Sequence, residues 1–230
     1  RYAQAEAAAR QLVRKWPRLG VGWKALGAVL SAQRRIGEAV PALQKSVALT
    51  PADCETHNAL ANGLQALGRT AEAAASYRRA LKLAPHSHEV LTNLGNVLKD
   101  LGHGDEALAR YRRALQLKPD YHEAHGNLGV ALKACGRFAE AETSFRRAVQ
   151  LKPDYAEAHN NLGSVLVDLC RPCEAELCFR RALELKPDYP LANNNLMFVL
   201  NYHPDRSAEE IYRAYRSFDQ RFGRPLRATW

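Results

Sequence analysis

Prolines stand at 17, 51, 85, 119, 153 and 187, each 34 residues after the one before. A period this strict points to one small structural unit used repeatedly, so the fold has to be read one unit at a time. For a chain of 230 residues, the number of units then replaces the usual count of domains. The longest apolar runs are far too short to span a bilayer, and no membrane partner is expected. The sequence opens inside an amphipathic pattern from Tyr2 to Arg10, with neither a leader nor an initiating Met, and reads as a fragment. Its five cysteines, odd in number and irregularly spaced, argue against a disulfide framework and for a reducing, cytoplasmic setting.

The unit has an internal register, counted from residues 20, 54, 88, 122 and 156. Position seven is Leu26, Leu60, Leu94, Leu128 and Leu162, and position eight is Gly27, Ala61, Gly95, Gly129 and Gly163. Position twenty is Ala39, Ala73, Ala107, Ala141 and Ala175; position twenty-four is Leu43, Tyr77, Tyr111, Phe145 and Phe179. Apolar spacings of three and four within each half predict two amphipathic helices per unit. Gly68, Gly102 and Gly136 fall where the first helix must stop, while Arg34 and Cys170 replace that glycine. Glu38, Glu72, Glu106, Glu140 and Glu174 fall in the first turn of the second helix, where the macrodipole favours a carboxylate. Proline then closes each unit, because it cannot continue a helix.

Leu-Gly at seven and eight, Ala at twenty, an aromatic at twenty-four and Pro at the end resemble the tetratricopeptide repeat. The resemblance implies an all-α fold: a right-handed α-solenoid of helix-turn-helix repeats with a C-terminal capping helix. Residues 1–19 then read as the second helix of a truncated repeat, and 20–189 as five full units. Residues 190–202 are the first helix of a sixth unit, and 203–230 a capping helix and tail. The place where this family usually has Trp holds Trp23 once, then His57, Leu91, His125 and His159. Because the histidines share one position on the core side, they are read as packing residues, with no metal site. Pro41 falls inside a second helix, near enough its start to be tolerated at some cost.

The face of the first helix opposite the core comprises positions two, six, nine and thirteen. It carries Asn93, Asn127, Asn161 and Asn195 at six, Glu55, Glu89, Glu123 and Glu157 at two, and Asn62 and Asn96 at nine. Asp100 and Asp168 stand at thirteen, and no Lys or Arg occurs at these positions in the five full units. In arrays of the family this chain resembles, the first helices line a concave groove. A ladder of amides there matches the N–H and C=O of an extended peptide without reading its side chains. The candidate binding residues are therefore Asn62, Asn93, Asn96, Asn127, Asn161, Asn195, Glu89, Glu123 and Glu157. The same amides can instead tie adjacent units together.

The net charge of +9 gathers elsewhere, in Arg78-Arg79, Arg112-Arg113, Arg146-Arg147 and Arg180-Arg181 on the outer side of the second helices. A basic ridge without interleaved aromatics lacks a stacking platform, so nucleic acid is not the expected partner. Cys170 and Cys173, with Cys178 further on, lack the fourth ligand of a structural zinc site, and no cofactor is expected. A carboxylate clamp like that of chaperone-binding members would need more than Lys24. Its further positions here hold Ala28, Ala59, Glu89 and Asn93. No phosphate-binding glycine loop or nucleophile–base pair occurs, so no catalytic residue is assigned.

After Leu200 the period ends. Ser207 and Glu210 form a capping-box pattern, and Ile211, Tyr215, Phe218 and Phe222 make one apolar stripe, predicting a helix at about 207–222. The wording from 194 to 227 (Leu-Asn-Tyr-His-Pro-Asp, Ser-Ala-Glu-Glu-Ile, then Arg-Pro-Leu) resembles the junction before the catalytic half of bacterial O-linked N-acetylglucosamine transferase and SPINDLY-like proteins. In that family the repeats recruit protein substrates for a nucleotide-sugar-dependent glycosyltransferase. The resemblance implies a protein- or peptide-binding arm, with a catalytic part beyond Trp230. The alternative is a stand-alone adaptor that assembles a protein complex. Self-association is not readable from the sequence.

Overall fold

A computed structural model describes residues 2–202 and 206–220. Thirteen α-helices and no strands occur among the described residues. The chain forms two compact units, Arg1–Pro119 and Asp120–Trp230. The first holds α1 (Tyr2–Lys15) and three helical hairpins: α2 (Gly20–Ala32) with α3 (Ile36–Leu49), α4 (Cys54–Ala66) with α5 (Thr70–Leu83), and α6 (His88–Asp100) with α7 (Gly104–Leu117). The second holds α8 (His122–Ala134) with α9 (Phe138–Leu151), α10 (Ala156–Asp168) with α11 (Pro172–Leu185), then α12 (Pro190–Leu200) and α13 (Ala208–Phe218). Within each unit the hairpins stack in chain order as a solenoid segment. First helices of neighbouring hairpins touch directly, α2 with α4, α8 with α10 and α10 with α12.

What holds a hairpin together is the near-contact of its two backbones. Tyr77, Tyr111, Phe145 and Phe179 are almost wholly buried, as are the alanines at position twenty. The rings of Tyr111, Phe145 and Phe179 lie against the first helix at its position-eight glycine. A Cβ built on Gly95, Gly129 or Gly163 would stand 2.6–2.8 Å from the ring of Tyr111, Phe145 or Phe179, closer than packed atoms tolerate. A further buried alanine lies three residues past each ring, at 80, 114, 148 and 182. In the first hairpin that place is taken by Ser46, which donates to the Gly20 carbonyl at 2.9 Å.

The turn between the helices needs a left-handed residue. Gly68, Gly102 and Gly136 have φ of 73, 82 and 71°. Arg34 and Cys170 adopt the same conformation at 61 and 58°, where a side chain costs about 1–2 kcal/mol. The repeated geometry of the hairpin imposes that strain. Pro41 lies inside α3 without ending it.

Successive hairpins are also joined by arginine–carboxylate pairs. Arg35, Arg69, Arg137 and Arg171 precede their helices, each making a forked bond to the glutamate three residues on, Glu38, Glu72, Glu140 or Glu174. Two of them reach back as well. Arg35 donates to Glu6 on α1 at 2.8 Å, and Arg171 donates to Glu142 on α9 at 2.8 and 2.9 Å.

Glu176 of α11 stands one period after Glu142 and is 2% exposed. Its partners are Arg180 at 2.7 Å and Arg206, just before α13, at 2.8 Å. Arg206 thus repeats the role of Arg171 one residue out of register. This pair ties the segment that leads into α13 to α11, while α13 packs only lightly on α12. Ser207 and Glu210 complete the capping box. Ile211 and Phe218 are half-buried, and the exposed Tyr215 accepts a hydrogen bond from Asn201 at 2.8 Å. Phe222 and the Arg224-Pro225-Leu226 wording lie outside the described residues.

Two outcomes follow from this packing. Gly129→Val forces a branched side chain against Phe145 and should lower stability by about 1–3 kcal/mol, read as a fall in the urea midpoint at unchanged m-value. Burial of Glu176 opposes its ionisation, but hydrogen bonds from Arg180 and Arg206 outweigh it and hold the carboxyl below its usual value. A carboxyl depressed in the folded state contributes stability above its unfolded pKa and loses it as pH falls through the folded one. The α13 amide resonances should therefore shift toward frayed positions as pH drops below about 4. Arg206→Ala should produce the same change at neutral pH, because it leaves the buried Glu176 with one arginine instead of two.

Candidate functional site

The candidate site is the face that the first helices turn away from their partners. Asn93 on α6 in the first unit, and Asn127, Asn161 and Asn195 on α8, α10 and α12 in the second, are all half-buried. Glu89 and Glu157 are exposed, and Glu123 is half-buried beside His122 Nδ1 at 3.1 Å. The second unit thus brings three amides of the ladder onto three adjoining helices.

Two of these amides are linked through a residue that sequence reading missed. Asn160, only 2% exposed, accepts from Asn195 Nδ2 at 2.9 Å and donates to Asn161 Oδ1 at 3.4 Å. The relay fixes α12 to α10. It ends on the Asn195 carbonyl at one side and the Asn161 amino group at the other, an acceptor and a donor. Those are the two groups an extended backbone requires. The doubled Asn160-Asn161 was the sequence signal for it, obscured because position five varies from unit to unit.

Asn62 and Asn96 are placed differently. Each carbonyl oxygen accepts the phenolic hydroxyl of the ring packed beneath it, Tyr77 to Asn62 and Tyr111 to Asn96, the latter at 2.7 Å. Burial pushes the Tyr77 hydroxyl up to about 12 and raises that of Tyr111 as well. Asn96 thus answers the Tyr111 hydroxyl, while that of Tyr77 also reaches Gln65 Oε1 at 3.2 Å; in both asparagines the carbonyl oxygen is already engaged inside the hairpin.

The acidity of this face is offset by cations from adjoining positions. Lys24 is held by Asp53 at 2.9 Å and Glu55 at 2.7 Å, Lys133 by Asp168 at 3.2 Å and by Ser164, and Lys186 by Glu157 at 3.1 Å. Asp53 also caps α4 through the N–H groups of Glu55 and Thr56. Burial resists its ionisation, yet Lys24 and Thr56 hold its carboxyl down at about 2.

The histidines acquire a definite task. Trp23 Nε1, His57 Nε2 and His159 Nε2 each hydrogen-bond the carbonyl of the proline six residues earlier, Pro17, Pro51 and Pro153, at 2.9, 3.0 and 3.0 Å. Trp and His interchange at this position because both offer a ring N–H to a carbonyl that the ended helix leaves unpaired. With that carbonyl as acceptor, each histidine is the Nε2–H tautomer.

On the outer side, the arginine ridge is largely engaged. Arg78 and Arg146 reach the glutamate of the following hairpin, Glu106 at 3.5 Å and Glu174 at 3.0 Å, while Arg113, Arg147 and Arg181 bond Gln116, Gln150 and Glu184. Cys170 and Cys173 are exposed; burial pushes the Cys178 thiol up to about 11, away from thiolate chemistry. Among the described residues no group of three or more His, Cys, Asp or Glu is placed to hold a metal ion. Nor is any of their helices long and apolar enough to cross a membrane. A recess of 620 Å3 lies in the turn after α1 beside Trp16 and Leu19, with none of the amides in its wall.

Profiles of the tetratricopeptide repeat match residues 54–87, 92–153 and 133–190, more than half of the chain. No curated protein matches it. Among solved structures it is similar to YrrB, described as a TPR protein with an unusual peptide-binding site, at 22% identity and a TM-score of 0.68 over 83% of this chain and 98% of YrrB. It is also similar to PilF of Pseudomonas aeruginosa, at 19% identity and a TM-score of 0.75 over 97% and 92% of the two chains. MamA of Desulfovibrio magneticus RS-1 aligns at 21% identity and a TM-score of 0.68 over 73% of this chain and 95% of its own. At these identities the likeness is one of fold.

The Tyr–Asn pairs generate a test that separates packing from binding. Asn96→Ala strands the buried Tyr111 hydroxyl and should cost about 1–3 kcal/mol. Adding Tyr111→Phe should recover most of that loss in the same thermal-unfolding assay.

Proposed function

Because this chain belongs to the tetratricopeptide repeat family, we propose that its first-helix face binds protein partners through extended peptide segments. The observation that carries the reading is the Asn161–Asn160–Asn195 relay, which leaves a donor and an acceptor in adjoining helices. Paired carboxylates and lysines around it keep the face polar while leaving no dominant charge. A peptide lying across α8, α10 and α12 exchanges its main-chain bonds to water for bonds to amides already held in place, so little ordering cost remains. The protein acts here as a scaffold, without chemistry of its own. YrrB, which shares the fold, is described as having a peptide-binding site, and this supports the choice of ligand.

A second reading makes the chain the recruiting arm of a glycosyltransferase that modifies protein hydroxyls. It rests on the wording of residues 194–227, and the fold comparisons add nothing to it. The adaptor reading is therefore the better supported. The two part on the gene beyond Trp230, where a nucleotide-binding α/β pattern favours the transferase arm and a stop codon ends that reading.

The binding proposal is tested by selecting peptides from a random displayed library on the whole chain. Selected peptides should lose about tenfold or more in affinity when Asn127, Asn161 and Asn195 are all replaced by Ala. Equal affinity for both proteins, with the variant still folded by circular dichroism, would show that the ladder is not the recognition element.

A further inference from the structure

The stripe that is polar on α10 turns apolar on α12. Where α10 has Glu157, Asn161, Ser164 and Asp168, α12 has Leu191, Asn195 and Phe198 one period on, and the turn after it has Tyr202. The amide is retained and everything around it changes. Leu191, Phe198 and Tyr202 are 53, 52 and 67% exposed, although they lie on the face that elsewhere carries carboxylates and amides. Packing does not explain them, since the core side of α12 is filled by Ala192, Val199 and Leu200.

The rings also shape a site. Those of Phe198 and Tyr202 lie 5.0 Å apart at 48°, and with Val167, Cys170, Pro172 and Val199 they wall a recess of 350 Å3. A second recess of 140 Å3 adjoins it, sharing Val167 and Phe198. Ser164, Asp168 and Asn195 line that one, and Lys133 reaches the first two from beside it.

We propose that this end of the first-helix face is an anchor subsite for one large apolar side chain, aromatic or leucine-like, of an extended peptide. The neighbouring peptide residue enters the smaller recess and presents a hydrogen-bond donor, lysine or arginine best. The proposal rests on the peptide-binding reading above and names its ligand class.

Size limits the occupant, because the larger recess takes one side chain and excludes a whole helix. Position supplies the backbone contact, since Asn195 stands between the apolar residues with its carbonyl ending the amide relay. Charge decides the neighbour. Lys133 engages Asp168 Oδ2 at 3.2 Å, which leaves Oδ1 to accept a further donor, a bond that an acidic side chain cannot supply. A second copy of the chain is the poorer fit, because a stable pairing needs about 800 Å2 from each partner and three separated side chains fall short of that.

The test uses the 230-residue chain with 15N labelling and short Ser/Gly peptides carrying a central Phe followed by Lys. That peptide should shift the amides of α12 and of residues 167–172, and bind about tenfold more tightly than its Phe→Ser or Lys→Glu counterparts. Phe198→Ser and Tyr202→Ser alter exposed side chains and leave the fold intact, yet each should remove most of that preference. Bound peptide should also slow maleimide labelling of the exposed Cys170, which lines the larger recess. If the Phe and Ser peptides bind equally on α8 and α10, the anchor subsite is wrong while peptide binding stands. If no peptide of the set or of the displayed library shifts any first-helix amide, both readings fall. Loss of the α12 signals with rising protein concentration, with a doubled mass by light scattering, would assign the patch to a second copy and overturn the proposal.

Discussion

The structure depends on the approach of one helix to another across a position with almost no side chain. Glycine at 95, 129 and 163 lets the ring of Tyr111, Phe145 or Phe179 lie against the first-helix backbone. Each ring then excludes water from the interior of its hairpin. The buried alanines on either side of the ring, four before it and three after, follow from the same closeness. So does the left-handed turn, because two helices this near must be joined by a very short link. Arg34 and Cys170 accept an unfavourable φ there because the packing on both sides over-determines it.

Stacking one hairpin on the next uses a different interaction. A carboxylate on one second helix receives the guanidinium that opens the next, as Glu6 receives Arg35 and Glu142 receives Arg171. Isolated surface ion pairs contribute little, but these are forked, shared between two arginines and partly shielded from water. They also explain the end of the array. Arg206 meets the buried Glu176 as the arginine of a next repeat would, although the sequence has left the repeat.

With the ring packing on one side and the arginine–carboxylate pairs on the other, the outward face of the first helices is left to vary. There the sixth helix departs from its predecessors. The amides run on to Asn195, while the carboxylates give way to Leu191, Phe198 and Tyr202. A uniform ladder would hold any extended chain in any register. An aromatic end to the ladder, in the binding mode proposed above, would give a bound chain a fixed point and therefore a direction.

The sequence by itself determined the repeat, its two helices, the small-over-large contact and the face left to solvent, because each is a periodic demand that recurs every 34 residues. Residue type was sufficient for that, since glycine, alanine and proline have few reasons to recur at one spacing. Only the tertiary structure decided which amides are spent inside the fold. Asn62 and Asn96 look like further members of a ladder, yet their carbonyls answer buried tyrosine hydroxyls fifteen residues on. Asn160 looks incidental and proves to be the middle of the relay. The lysines that neutralise the acidic stripe come from positions off that stripe. The ring nitrogens of Trp23, His57 and His159 find proline carbonyls that no spacing rule names. The physical reason is common to all of these. Hydrophobic burial follows a period and can be read along the chain, whereas a hydrogen bond or ion pair depends on where two side chains meet in space.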